Sequence, residues 1–320
     1  LYTNDREPAR DETLTIVNVL ERVLMVDPDN PGANHLYIHA VEPSARKDRG
    51  VIAADRLSDL VRGSGHLQHM PSHIYVQVGM WERSIEQNAK AMEADAAYRA
   101  LSPDQGIQHM YMVHNAHMLA FSAMMIGREA EAMAAAQSML RNVPAEVLPG
   151  VAPFLDAWAC SVYDVQKRFG RWDAILAEPA PPTFLPVTTA VWRAHRAIAY
   201  AAKKDFEAAE REHQNFRAAM AAVPPGPVPD IYETAMSFLG VSDLFIAAEI
   251  ELQKGDYDES ARLLEEAAVL EDDLGYGEPP LWLQPVRHTL GAVYLKWGKF
   301  DEAERVYRDK TAILGALKGP

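Results

Sequence analysis

Leu290-Gly291-Ala292-Val293-Tyr294-Leu295-Lys296-Trp297-Gly298-Lys299-Phe300-Asp301-Glu302-Ala303 is the stretch that decides the fold. Its second half carries a signal of a small residue, a polar residue, an aromatic, an acid, Glu and Ala. The signal recurs along the chain as Gly255-Asp256-Tyr257-Asp258-Glu259-Ser260. Weaker copies are Lys204-Asp205-Phe206-Glu207, Gly170-Arg171-Trp172-Asp173, Gly127-Arg128-Glu129-Ala130 and Gly79-Met80-Trp81-Glu82. Self-similarity of this kind marks a repeat architecture. Each copy reads as the turn between two antiparallel helices, with the aromatic expected to pack back into its own pair.

On these residues the chain resembles the tetratricopeptide repeat family. Leu290, Gly291, Tyr294, Gly298, Phe300, Ala303 and Tyr307 stand where that pattern wants them, and the resemblance covers roughly residues 65–310. Only the step from Gly170 to Lys204 equals the family's 34-residue unit. Most connections must therefore be longer, with the surplus in Pro/Gly-rich stretches such as Val223-Pro224-Pro225-Gly226-Pro227 and Gly275-Tyr276-Gly277-Glu278-Pro279-Pro280. The expected fold is all-α, a solenoid of stacked antiparallel helix pairs. Residues 1–140 would form His-rich repeats and residues 141–320 a continuation of the same solenoid. One helix pair cannot bury its apolar face alone, so neighbours must stack.

Composition excludes several functions. A formal charge of −14 provides no basic face for nucleic acid or anionic membrane. No apolar run approaches the length of a membrane span. A single cysteine, Cys160, permits neither an internal disulfide nor a thiolate metal site, and reads as a small core residue. There is no phosphate loop, no nucleophile elbow and no His-Glu-x-x-His motif. The chain begins at Leu1 rather than Met, as expected of a removed leader or a trimmed N-terminus.

The histidines are distributed far from evenly. Of eleven, eight lie between residues 35 and 117: His35, His39, His66, His69, His73, His109, His114 and His117. His35, His39 and Glu42 stand at i, i+4 and i+7, one stripe of a helix. His66, His69 and His73 stand at i, i+3 and i+7, and His114 and His117 at i and i+3. Registered on the repeat, with the turn glycine as position fifteen, His66, His69 and His73 take positions two, five and nine. His114 and His117 take positions two and five of the next repeat. The resemblance implies that these positions face the concave groove. Counting back from Ala45 puts His35, His39 and Glu42 at positions five, nine and twelve.

Three helices would thus aim His35, His39, Glu42, His66, His69, His73, His114 and His117 at one volume. Imidazole is the commonest ligand for transition metals, and facing helices are a known way to assemble a centre. The expected cofactor is Zn, Fe, Cu or Mn, in a dinuclear or larger centre if all the ligands serve. The reading is of a metal-binding protein, as a metalloenzyme hydrolytic or oxidative, with Glu42 as ligand or base. The alternative is a non-enzymatic adaptor whose groove holds a peptide or partner protein. Small-molecule or peptide ligands fit either reading.

Several neighbours remain open at this level. Pro71 interrupts the His66–His73 stripe, so the helix either kinks there or begins there with His66 and His69 on the entering loop. Asp55, Asp95 and Asp104 are candidates for orienting imidazoles from behind. Tyr111 stands one turn before His114. Met70, Met110, Met112, Met118, Met124 and Met125 read as core filler before thioether ligands. His109 is out of phase with its neighbours; His195, His213 and His288 read as structural. The blocks Asn34-His35-Leu36-Tyr37-Ile38-His39 and His69-Met70-Pro71-Ser72-His73-Ile74-Tyr75 also resemble a segment of bacterial tetratricopeptide proteins, which implies a bacterial source and a functional N-terminal region.

Overall fold

The computed structural model describes residues 1–3, 6–103, 105–106, 108–141, 143–226 and 229–308. Asp104 and Pro227 lie outside the described residues. Among those described there is no strand, only an isolated bridge between Tyr2 and Pro8. No described helix is long and apolar enough to cross a membrane. The chain forms two compact units, Leu1–Val143 and, to the last described residue, 144–308.

The first unit contains α1 (Asp11–Val26), α2 (Pro31–Val41), α3 (Val51–Leu60), α4 (Gly65–His69), α5 (Pro71–Gln77), α6 (Trp81–Leu101), α7 (Gln108–Met125) and α8 (Glu129–Arg141). The second contains α9 (Leu148–Leu155), α10 (Ser161–Arg168), α11 (Trp172–Ala177), α12 (Pro186–Ala202), α13 (Phe206–Ala221), α14 (Pro229–Lys254), α15 (Tyr257–Asp273), α16 (Val286–Trp297) and α17 (Phe300–Arg308). Helices adjacent in sequence pack together, so each unit is a stack of tetratricopeptide-like helix hairpins.

All six sequence signals fall on hairpin turns with one shared geometry. Gly79, Gly127, Gly170, Gly255 and Gly298 have left-handed φ between 66° and 94°, and Lys204 takes the same conformation at 65°. At each turn the next residue donates its N–H to the carbonyl five positions back: Met80 to Tyr75, Arg128 to Ala123, Arg171 to Gln166, Asp205 to Tyr200, Asp256 to Glu251 and Lys299 to Tyr294. This is the 6→1 closure that satisfies orphan carbonyls at a helix C-terminus. Asp205 and Asp256 then cap the following helix, accepting from Ala208 and Glu259 N–H.

Trp172 lies over its own turn, its ring 3.8 Å from where a Cβ at Gly170 would stand. Trp81 also packs edge-on against Phe121 of the following hairpin, and Tyr257 stacks on Trp297 of the following hairpin. Phe300, in the last described hairpin, is 67% exposed. Gly291 follows the sequence reading: a Cβ there would come within 2.4 Å of the Tyr307 ring, so the small residue admits the aromatic.

In the second unit the core runs through Trp192, Phe216, Phe238, Phe245, Trp282 and Leu290. Cys160 is buried in that core with burial pushing its thiol pKa well up, which leaves it inert. His195 bonds the Val191 carbonyl and Asp164, and His213 meets Asp243 at 2.6 Å; both brace packed helices, as expected.

The first unit's core is Tyr37, Ile38, Val41, Leu57, Met70, Ile74 and Tyr75. Met112, Met118 and Met124 are also buried, so they fill space as read from sequence. Where α4 meets α6, Gly65 lies directly on the second helix. A Cβ at Gly65 would stand 1.9 Å from Asp95 Oδ1 and 2.9 Å from the Ala91 carbonyl oxygen. Asp95 cannot swing away freely, since Asn115 Nδ2 donates to it at 2.7 Å. Gly65→Ala is therefore expected to destabilise the protein by about 2 kcal/mol through overpacking. An unchanged denaturant midpoint would show that α4 and α6 are not in this close contact.

Candidate metal centre

Three local structures present the histidines. Helix α2 begins where Asn30 accepts the Ala33 N–H at 2.9 Å, with Pro31 at the first helical position. It buries Tyr37, Ile38 and Val41, which leaves His35, His39 and Glu42 as the neighbouring stripe. Helix α7 is buried along most of its length and presents His114.

A helix begins at Pro71, as one of the two arrangements left open by the sequence had it, but His66 and His69 stand on a helix of their own and not on a loop. The segment's histidines lie on two helices in near succession: α4 carries His66 and His69, Met70 holds helical angles, and Pro71 opens α5 at its first position. The ring costs nothing there, because that N–H has no partner inside α5. The near-continuous path keeps His69 and His73 one turn apart.

The imidazoles converge. Ring centroids are 4.9 Å apart for His35 and His39, 5.0 Å for His35 and His66, and 5.4 Å for His39 and His73. Deeper in, His69 and His73 are 4.7 Å apart, His69 and His114 4.6 Å, and His73 and His114 5.6 Å. Three groups have ligand atoms all within 4.8 Å of one another: His35, His39 and His66; His69, His73 and His114; and His39, Glu42 and His73. Six of the seven histidines singled out thus share one volume with Glu42. His117, buried one turn beyond His114, belongs to none of these groups. His109 does not either.

Around the deeper trio the hydrogen bonding determines which nitrogen carries each proton. Asn88 Nδ2 donates to the Ser84 carbonyl at 2.8 Å, so its Oδ1 faces His69. That oxygen lies 2.6 Å from His69 Nδ1, which must therefore be the N–H. His73 Nδ1 sits 2.9 Å from Glu42 Oε2, an ion-pair distance without hydrogen-bond geometry. The two Nε2 atoms stand 2.7 Å apart, the distance of an N–H···N hydrogen bond, in which His73 donates to the free lone pair of His69. Two nitrogens on one tetrahedral ion stand about 3.3 Å apart, so an ion takes this place only when the two rings part by a few tenths of an ångström.

Burial opposes extra protons here. It is the first cause, with neighbouring imidazoles next, that drives the pKa values of His69 and His114 well below the usual histidine range. His66 is pushed down to about 4 by burial and then by His35, and His35 is lowered by burial and His39. Burial acts to raise Glu42, but His73 and His39 beside it outweigh that and hold the carboxyl below the usual range. Burial thus disfavours the charged form of His35, His66, His69 and His114, and imidazole nitrogens beside an anionic carboxylate can form a ligand set for a cation.

The partners behind the ligands are not those read from sequence. Asp55 takes the Tyr75 hydroxyl and Arg83, and Asp95 takes Asn115. Glu42 is the carboxylate that meets the imidazoles, one oxygen on His39 Nδ1 at 3.0 Å and the other on His73 Nδ1. Asn88 had no signal in the sequence: it is one of many polar residues on α6, a helix outside the three histidine blocks. Tyr111 lies 4.8 Å from the His66 ring at the exposed side.

No protein-family model matches the chain, and no curated protein matches it. Among solved structures it is similar to the "APC/C hetero-tetramer Cut9-Hcn1" crystal structure, at 12% identity and a TM-score of 0.38 over 95% of this chain. The chain spans about half the length of that protein, 51%.

Proposed function

We propose that the first unit is a metal-binding module whose principal ion is held by His69, His73 and His114. The observation that carries this is the grouping of His69, His73 and His114, whose ligand nitrogens all lie within 4.8 Å of one another. A hydrogen bond would satisfy the pair of His69 and His73 alone. A third imidazole, His114, with a ligand nitrogen within 4.8 Å of both, favours an ion. Asn88 and Glu42 act as the outer partners that fix tautomer and ring orientation, as behind most metal-bound histidines.

Three neutral nitrogen ligands suit Zn, Fe or Cu better than Mn, which favours oxygen. Such an ion keeps a fourth position open for water or another ligand, acting there as a Lewis acid or redox centre. The helix hairpins supply rigid walls around that position.

Protein purified without a histidine tag should carry near-stoichiometric Zn, Fe or Cu by elemental analysis, before or after reconstitution. Chelator should strip it, and His69→Ala/His114→Ala should fail to take it up while keeping a helical circular-dichroism spectrum. Protein that stays metal-free after exposure to each ion would overturn the reading. His69 and His73 would then keep their hydrogen bond, and the unit would be left as a partner-binding scaffold.

A further inference from the structure

We infer that His35, His39 and His66 hold a second metal ion next to the first, so that the centre is dinuclear with Glu42 coupling its halves. The inference rests on the reading above and adds a site to it.

The six imidazoles divide into two trios, with the group of His39, Glu42 and His73 bridging them. His69, His73 and His114 form one trio, and His35, His39 and His66 form another, each with three ligand atoms within 4.8 Å. In the second trio His35 and His39 are one turn apart on α2, and His66 reaches them from α4, with its Nε2 3.2 Å from His35 Nε2. Glu42 touches both trios, through His39 Nδ1 and His73 Nδ1. One anionic group thus orients a ligand of each ion and offsets part of the repulsion between two cations. It also accepts from His39 Nδ1–H at 3.0 Å, which leaves that ring's Nε2 as a donor to metal.

The two sites differ in how firmly they are built. All three outer rings are partly exposed, whereas His69 is fully buried and His73 nearly so. His66 Nδ1 is buried with no hydrogen-bond partner, so no neighbour locks its tautomer as Asn88 locks that of His69. His66 and His35 can satisfy each other by one ordinary hydrogen bond, so the outer trio does not require a cation. The outer ion therefore binds more weakly, exchanges with solvent, and occupies the side where Tyr111 opens to water. The ion facing any incoming molecule is this outer one.

The test is a titration of chelator-treated, tag-free protein with Co²⁺, followed by visible absorption and by calorimetry. Two ions should bind in sequence, the second weaker by about tenfold or more. His35→Ala/His66→Ala should bind one ion with the affinity of the tighter step. His69→Ala/His114→Ala should keep only the weaker step. Saturation of the wild type at one ion, unaffected by His35→Ala/His66→Ala, would overturn the second site and leave the first intact. Failure to bind any ion would sink both. Binding of two ions that both vanish in His35→Ala/His66→Ala, in protein still folded by circular dichroism, would also overturn the inference, since the trios would not be separate sites.

Discussion

His73→Ala is expected to lower affinity for the tightly held ion by about a hundred- to a thousandfold, the share of one ligand in a multi-ligand site. His73 sits at the junction of the cluster: its Nε2 meets His69, its Nδ1 meets Glu42, and its ring neighbours His39 and His114. Glu42→Gln keeps the volume but places an amide group where one Nδ1–H needs an acceptor, and should cost about ten- to a hundredfold. His117→Ala should leave metal affinity unchanged, since that ring lies outside both trios. Competition with a chromophoric chelator measures all three. An order in which His117→Ala is as damaging as His73→Ala would contradict the ligand assignment.

Chelator-treated protein is expected to lose thermal stability steeply as pH falls below about 6.5. His35, His66, His69 and His114 all have folded-state pKa values below the ordinary histidine value of 6.5. Between those values the unfolded chain takes up protons that the native state refuses, so stability rises with pH. The contribution is complete above the unfolded pKa and drains away as pH drops toward the folded one, near 4 for His66. His66 is partly exposed, and allowing for solvent its share is about 1 to 2 kcal/mol. The other three act in the same direction. Metal-loaded protein should hold its Tm to lower pH, because the ion must be displaced before the rings can charge. Scans from pH 8 to 4.5, with and without metal, check both halves. A Tm of the chelator-treated protein that stays flat from pH 7 to 5 would show that the rings are not buried as a neutral cluster.

Much of this was readable along the chain. The turn signals were reliable because each encodes one backbone event, a left-handed residue closing a 6→1 bond; even Lys204, with no glycine, obeys it. The histidine blocks were visible because helical periodicity places residues on one stripe whatever the helix packs against. What failed was whatever depended on the next element. Phe300 was expected to pack inward, but rings at that position also lean on a following hairpin. Pro71 looked like a break in the stripe, yet between two helices that succeed each other it leaves His69 and His73 in register.

The sequence by itself determined that this chain is built of helix hairpins, where they turn, and which helices carry imidazole. Those are local properties, set by φ preferences and by a 3.6-residue period. Only the tertiary structure decided that the rings gather in groups of three, that His117 belongs to none of them, and that Glu42 and Asn88, rather than Asp55 or Asp95, meet the imidazoles. Each of these depends on side chains from α2, α4, α5, α6 and α7 meeting across a packed interface. No spacing within one helix specifies such a meeting, because the contacts that bring it about come from residues far apart in the chain.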